Sequence, residues 1–421
     1  MSDTIYALSS GAPPAGVGVI RISGPQASAV LARLGRVPAA RRATLMTLRD
    51  GGEVLDSALV LWLPGPGTAT GEDCAELHCH GGRAVIAAVL RALSAVPGLR
   101  AAEAGEFTRR AFANGRIDLA EAEGLADLLS AETELQRRAA QAMLGGAFSR
   151  VVAGWRDDLL TISASIEAAI DFADEDDVGG LPADLARRLA ALADALAQWL
   201  SRPRAEALRE GVRVVIAGPP NAGKSTLFNA LVGSEAAITA DIPGTTRDVL
   251  SRPVAIGGVP FTLIDTAGLR GETDDTIEAI GIARAQAAMA EADIVLWLGP
   301  EGEGPIGAWE ISARADVASA KASARHVLSA MTGMGVLALC HDLVQTARDL
   351  LPAPGEAALN RRQRDLIAEA LHAIEEAQVR EDLLLMAEAL RMARVAFDRI
   401  IGRAGTEDML DALFGQFCIG K

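Results

Sequence analysis

The segment Val212-Arg213-Val214-Val215-Ile216-Ala217 runs straight into Gly218-Pro219-Pro220-Asn221-Ala222-Gly223-Lys224-Ser225, and a helical pattern follows over Lys224 to Val232. A buried strand, a glycine loop and a helix start in that order leave the chain few options. They place the loop at the end of a mostly parallel sheet, with backbone N–H groups converging on one point. The spacing Gly-x-x-x-x-Gly-Lys-Ser lets those N–H groups wrap phosphates, sets Lys224 against the β and γ oxygens and offers the Ser225 hydroxyl to Mg²⁺. Candidate nucleotide contacts are therefore Asn221, Ala222, Gly223, Lys224, Ser225 and Thr226.

Two further stretches fall in the right order. Asp241-Ile242-Pro243-Gly244-Thr245-Thr246-Arg247-Asp248 stands where a loop must lie to reach a γ-phosphate, and Thr246 is the second candidate Mg²⁺ ligand; a plain Pro-Gly turn is the alternative. Asp265-Thr266-Ala267-Gly268 ends an apolar strand, so Asp265 can reach the metal through water and the Gly268 N–H the γ-phosphate. Leu269 follows, and an aliphatic side chain cannot orient an attacking water as glutamine does. Charge and water positioning must come from elsewhere. A monovalent cation beside Asn221 is one source; bracing of the loop is the other reading of that side chain.

Base recognition falls on Ala313-Arg314-Ala315-Asp316, where the usual guanine motif is Asn-Lys-x-Asp. Asp316 keeps the carboxylate that accepts hydrogen bonds from guanine N1 and N2. Without the Asn a bracing contact is gone, while Arg314 can still stack its planar group on a base, so weakened guanine selectivity is expected. Ser329, Ala330 and Met331 fit the last base-contacting loop. Between the strand Asp293 to Leu298 and this motif, Glu301-Gly302-Glu303-Gly304-Pro305 is a poor helix former, so one sheet face is either uncovered or covered by something else.

The 421 residues suggest two to three domains. Residues 1–116 read as mixed α/β, with strands at Gly16 to Ile22 and Val54 to Leu63 and a helix at Arg83 to Val96. Residues 117–210 read as helical, in runs at Asp118 to Met143, Val151 to Ala173 and Pro182 to Leu200. Residues 211–344 are the nucleotide-binding α/β region, and 345–421 return to helices at Asn360 to Ala377 and Arg380 to Arg403. The economical organisation is an α/β domain inserted into one helical domain.

A net charge of −15 argues against broad capture of nucleic acid, so RNA contact would lean on a partner. Four scattered cysteines fit a reducing compartment, and the absence of a membrane-length apolar run or basic leader points to a cytoplasmic address.

Several strings outside the phosphate loop carry a resemblance. They are Gly18-Val19-Ile20-Arg21-Ile22-Ser23-Gly24, Gly71-Glu72-Asp73 through His80-Gly81-Gly82, Gly105-Glu106-Phe107-Thr108-Arg109-Arg110-Ala111-Phe112, Asp118-Leu119-Ala120-Glu121-Ala122-Glu123 and the terminal Phe417-Cys418-Ile419-Gly420-Lys421. With Gly244 to Asp248 and Asp265 to Arg270, the chain resembles the bacterial MnmE (TrmE) family of tRNA modification GTPases along essentially its whole length.

The resemblance implies an N-terminal folate-binding and dimerising domain, a discontinuous helical domain and an inserted G domain. It implies K⁺-dependent GTP hydrolysis in a homodimer. It also implies a heterotetramer with an FAD- and NADH-using partner of the MnmG type. Together they modify the wobble uridine of certain tRNAs with a one-carbon unit from tetrahydrofolate, in its 5,10-methylene or 5-formyl form.

Residue by residue, the resemblance gives K⁺ to Asn221, Thr245 and the carbonyls of Ala240 and Ile242, and Mg²⁺ to Ser225 and Thr246. Asp241, Pro243, Gly244, Thr266 and Ala267 join the nucleotide contacts. Glu278 matches the water-orienting acid, with Lys224, Arg247 and Asp248 as further catalytic candidates; as a bare residue Glu278 is an exposed helix charge. The folate site maps to Arg21, Glu76, Arg116 and Lys421, with Arg116 standing where the family usually has Lys. Glu76, His78 and His80 would share one face of a strand and form a polar wall.

A metal site from Cys74, His78, Cys79 and His80 is the weaker alternative, since same-strand ligands lack a second pair elsewhere. Cys418 is a candidate functional thiol, although beside Phe417 packing is the plainer role. Two rival functions stand beside this one: a nucleotide-responsive scaffold with little turnover, and a ribosome-assembly GTPase.

Overall fold

The computed structural model describes residues 3–171, 181–234, 237–238, 251–266, 285–317, 319–353, 355–404, 407–415 and 417–421. They form two compact units, Met1–Ala126 with Asp398–Lys421, and Asp127–Phe397.

The first unit is built on β1 (Thr4–Leu8), β2 (Val17–Ser23), β3 (Thr44–Asp50), β4 (Glu53–Leu63), β5 (Cys74–His80) and β6 (Leu99–Ala101), in the order β3-β4-β5-β2-β1-β6. Apolar residues alternate along these strands, so one face collects Ile20, Ile22, Leu48, Val60 and Leu77. That face is sealed by Val30 and Leu31 of α1 (Ala27–Leu34) and Val89 and Leu93 of α2 (Arg83–Ser94). The other face meets α3 (Glu106–Ala113) through Phe107, Ile5 and Ala7.

The helices of the second unit include α5 (Glu134–Leu144), α6 (Ala147–Asp171), α7 (Leu185–Leu200), α8 (Ala205–Glu210), Val336–Leu350, Arg361–Val379 and most of Leu383–Ile400. Where one long helix was expected over Asp118 to Met143, two are found. Helix α4 (Leu119–Ser130) stops, and Thr133 starts α5 with a capping box in which its side chain accepts from the Gln136 N–H and Gln136 returns the bond. Phe148, Trp155, Trp199 and Phe397 form an aromatic cluster with ring separations of 5.2 to 6.5 Å.

The seven-stranded sheet of this unit has the order β13-β12-β11-β7-β10-β9-β8. Its members are β7 (Val212–Ala217), β8 (Ala237–Ile238), β9 (Ser251–Ile256), β10 (Val259–Asp265), β11 (Ile294–Trp297), β12 (Trp309–Ser312) and β13 (His326–Val327). The β10-β7-β11-β12-β13 run is parallel and β8 and β9 are antiparallel, which is the mostly parallel sheet expected. The chain enters and leaves this α/β portion side by side. Arg204 bridges Leu359, the Ala205 N–H donates to the Leu359 carbonyl at 3.0 Å, and Arg364 caps the end of α7 through the Leu200 and Arg202 carbonyls.

Candidate nucleotide site

Strand β7 is central and fully buried along Val214, Val215 and Ile216, so the loop after it is held rigidly at the sheet's carboxyl end. Gly218 has φ of 148°, and a Cβ there would meet the Gly299 nitrogen at 3.0 Å and the Leu298 carbonyl carbon at 3.1 Å. Asn221 takes φ of 61°, a conformation asparagine tolerates better than most side chains. Gly223 then opens α9 (Lys224–Val232) from a left-handed position.

Lys224 is buried to 6 % exposure and donates to the carbonyls of Gly218 and Pro219 at 3.0 and 2.8 Å. Ser225 donates from Oγ to Asp265 Oδ2 at 2.6 Å. The pairing of β10 with β7 sets Asp265 opposite Ile216, and the Thr266 hydroxyl donates to the Ile216 carbonyl at 2.9 Å. These pairings bring the phosphate-loop serine to the strand-end acid, with the lysine the residue before that serine in the chain.

A cavity of about 500 Å³ opens beside it, lined by Asn221, Gly223, Lys224, Ser225, Thr226, Ala313, Arg314, Asp316, Val317, Ala330 and Met331. The two sequence stretches expected to face a phosphate and a base thus share one hollow. Arg314 carries its aliphatic stem over the loop, with Cγ 3.8 Å from where a Cβ at Gly223 would stand. Ser329 lies behind the wall instead of in it: it is fully buried, and its hydroxyl accepts the Thr332 N–H at 3.2 Å. Ala222 packs against the sheet core. Val317 also lines the hollow, one residue beyond the base motif and carrying no motif of its own.

Ala240, Asp241, Ile242, Pro243, Gly244, Thr245, Thr246, Arg247, Asp248, Ala267, Gly268 and Glu278 lie outside the described residues.

The β11 to β12 connection has no helix, as its composition foretold. The Trp297 indole turns back on it, donating to the Pro300 carbonyl at 2.9 Å, and packs with Val215, Ala217, Ile264, Ala288, Met289 and Ala292. Lys321 fastens the loop's flanks by donating to the Trp297 carbonyl and to Glu310 at 3.0 and 2.6 Å.

In the first unit, the register of β2 and β5 sets Arg21 opposite Glu76, and Arg21 Nε donates to Glu76 Oε1 at 3.1 Å. The Arg21 guanidinium stands 5.7 Å from the Phe107 ring centre, and His78 meets the other Glu76 oxygen at 3.2 Å. Arg116 and Lys421 make no hydrogen bond to this pair: the Arg116 stem lies against Gly71, and Gly420 seats the chain end against the Leu8 carbonyl. The metal alternative fails because its members are engaged apart from one another: the Cys74 thiol meets the Thr70 and Ser23 hydroxyls at 3.2 and 3.5 Å. Cys79 faces the helix-covered side, where burial pushes its thiol up to about 12, while His78 and His80 face the other side and pair with Glu76 and Asp56. No metal-holding group of three such side chains occurs among the described residues. Cys418 is exposed.

Arg110, which the sequence did not single out for a role, is fully buried. It donates to Glu72, Glu106 and Asp3 at 2.9 to 3.3 Å.

Residues 119–418 match the model of the MnmE helical domain and residues 4–116 that of the GTP-binding protein TrmE N-terminus. The chain belongs to the MnmE family. A tRNA modification GTPase MnmE of Erythrobacter litoralis is 65% identical over 423 residues, covering 100% of both chains. One of Novosphingobium aromaticivorans is 64% identical over 437 residues, again covering 100% of both. Both MnmE relatives therefore match it end to end. Among solved structures, the FeoB G-domain of Methanococcus jannaschii is 21% identical over 33% of this chain and 99% of its own, with a TM-score of 0.24. No helix among the described residues is long and apolar enough to cross a membrane.

Proposed function

We propose that this chain hydrolyses GTP in the service of tRNA modification, and that hydrolysis is K⁺-activated and coupled to dimerisation of the α/β portion. The Ser225–Asp265 contact beside buried Lys224 carries the reading, because it gathers the hydroxyl, carboxylate and ammonium a triphosphate–Mg²⁺ complex requires. Hard oxygen donors suit Mg²⁺, so Ser225, with Thr246, is assigned to it and Asp265 to its hydration shell. Asn221 is assigned to K⁺ with Thr245 and the Ala240 and Ile242 carbonyls; Asn221 lines the same hollow. Bound there, these ions supply positive charge toward the phosphates. The chain itself supplies Lys224 as a countercharge, Asp316 as acceptor for the base and Glu278 to orient water, with Arg247 and Asp248 as further catalytic candidates.

The Arg21–Glu76 pair over Phe107 suits a flat, amide-bearing ring such as a pterin. We assign tetrahydrofolate to it, with Arg116 and Lys421 supplying charge for the remainder of that ligand. The finer division into 1–116, 117–210, 211–344 and 345–421, and work alongside an FAD-dependent MnmG-type partner on wobble uridine, belong to the same proposal. GTP turnover in equimolar KCl and NaCl tests the first part: a large excess in KCl is expected, and a slow rate equal in both would favour the scaffold reading. Binding of 5-formyltetrahydrofolate that is lost in Arg21→Ala is expected; no binding at all would revive a ribosome-assembly role.

A further inference from the structure

The net charge of −15 is unevenly spread. Residues 1–116 carry twelve arginines against nine Asp and Glu, so this part is basic while the remainder holds the whole excess of acid. Its inner arginines are matched to carboxylates: Arg21 to Glu76, Arg100 to Asp3 and Glu106, Arg110 to Glu72, Glu106 and Asp3. The surplus therefore sits elsewhere.

It sits along β3. Residues 33–49 contain Arg33, Arg36, Arg41, Arg42 and Arg49 and no carboxylate. Strand β3 is the edge of its sheet, and Arg36, Arg41, Arg42 and Arg49 are all exposed. Arg33 leans on Asp50 at 3.5 Å. Arg41 Nη2 donates to the Pro64 and Gly67 carbonyls at 3.0 Å each, which fixes the guanidinium without neutralising it. No carboxylate pairs with Arg36, Arg42 or Arg49 among the described residues.

Arg42 and Arg49 are seven residues apart, about 23 Å in extended chain. Arg36 falls between them, because the preceding Gly35 packs against Met46 and Thr47 in the middle of β3. The edge thus carries one guanidinium held by carbonyls, Arg41, and three without a carboxylate partner, Arg36, Arg42 and Arg49, with no aromatic residue between Arg33 and Arg49 on which a base could stack.

We infer that the β3 edge is the surface on which this chain takes the phosphate backbone of tRNA. The inference rests on the tRNA reading above and deepens it. Guanidinium forks match phosphate oxygens bidentately, and backbone contacts position a nucleic acid without reading its sequence. An edge strand also uses charge simply to refuse a second strand, and a row of arginines would equally suit an acidic protein, so the test must separate these.

The full chain carrying Arg36→Gln, Arg42→Gln and Arg49→Gln is compared with wild type for binding an unmodified tRNA transcript across a KCl series. Losing three phosphate contacts should make the log–log salt dependence shallower by about 2 to 3 and leave RNA-free GTP turnover unchanged. A control with Arg187→Gln, Arg361→Gln and Arg391→Gln removes the same charge from the other unit and should keep the wild-type slope. A wild-type slope in the β3 variant, or an equal loss in the control, overturns the assignment. So does a changed oligomeric state with the slope intact, which would hand the edge to an acidic protein surface. The tRNA reading is judged separately, by wobble nucleosides in cells where this chain is the sole copy: modification present with an unchanged slope sinks only the β3 surface.

Discussion

Ser225 donates its hydroxyl hydrogen to Asp265 across 2.6 Å, tying the first turn of α9 to the end of β10. Removing the hydroxyl takes away both a metal ligand and the partner that aims Asp265. Ser225→Ala is expected to lower GTP turnover by roughly 10- to 100-fold, the worth of one charge-assisted contact. The loss should shrink as Mg²⁺ is raised. Phosphate release measured against Mg²⁺ concentration checks it, and a wild-type profile would remove Ser225 from metal binding.

Asp316 faces the same hollow as Lys224, without the Asn that usually accompanies it. Asp316→Asn replaces a double acceptor by a group that also donates, which suits xanthine better than guanine. GTP affinity should fall by roughly 100-fold while xanthosine triphosphate gains, read by competition against a fluorescent nucleotide. Unchanged GTP affinity would show that Arg314 and the Ala330 loop hold the base unaided.

Arg110 is fully buried among three carboxylates, so its loss strands charge in the interior. Arg110→Ala should destabilise the first unit by about 3–5 kcal/mol, measured by urea unfolding. Burial opposes ionisation of Glu106, yet hydrogen bonds from Arg100, the Glu103 N–H and Arg110 outweigh it and hold this carboxyl below its ordinary 4.5. A depressed folded pKa adds stability above the unfolded value and loses it as pH falls. Wild-type melting temperature should therefore decline as pH drops below 4.5, and decline less in Arg110→Ala.

At Gly218 a side chain would strike the backbone of Leu298 and Gly299, atoms that cannot swing aside. Gly218→Ala should cost about 1–3 kcal/mol and weaken nucleotide binding by moving the loop. Parallel denaturation and nucleotide titration would register both losses, and a variant that binds normally would count against a rigid loop.

The phosphate loop was legible because glycines and a lysine at fixed spacing leave one geometry, and β7 supplied the strand that geometry demands. The missing β11 to β12 helix was legible for the opposite reason, since Gly302 and Gly304 oppose helix formation. What covers that face was not, because Trp297 reaches it only by folding back over its own loop. Arg110 stayed hidden for a related cause: Asp3 and Glu72 come from distant segments, and nothing local marks an arginine as interior. The break before α5 rests on a two-way cap between Thr133 and Gln136, a weak cue inside a run with helical spacing throughout. Ser329 was placed at the base by its position in a tripeptide, whereas its hydroxyl turns inward to brace the following turn.

The hydrogen bond from Ala205 to the Leu359 carbonyl makes the nucleotide-binding portion a bead on a closed ring. Its two ends lie one bridge apart, so cutting out 206–358 and joining the stumps with a short turn would leave the flanking helices in register. A twist of the cargo reaches α7 and Arg361–Val379 through this paired stem and α5 through Leu135 and Ala139, which share the core of the sheet, so a redesigned cargo must refill that contact as well.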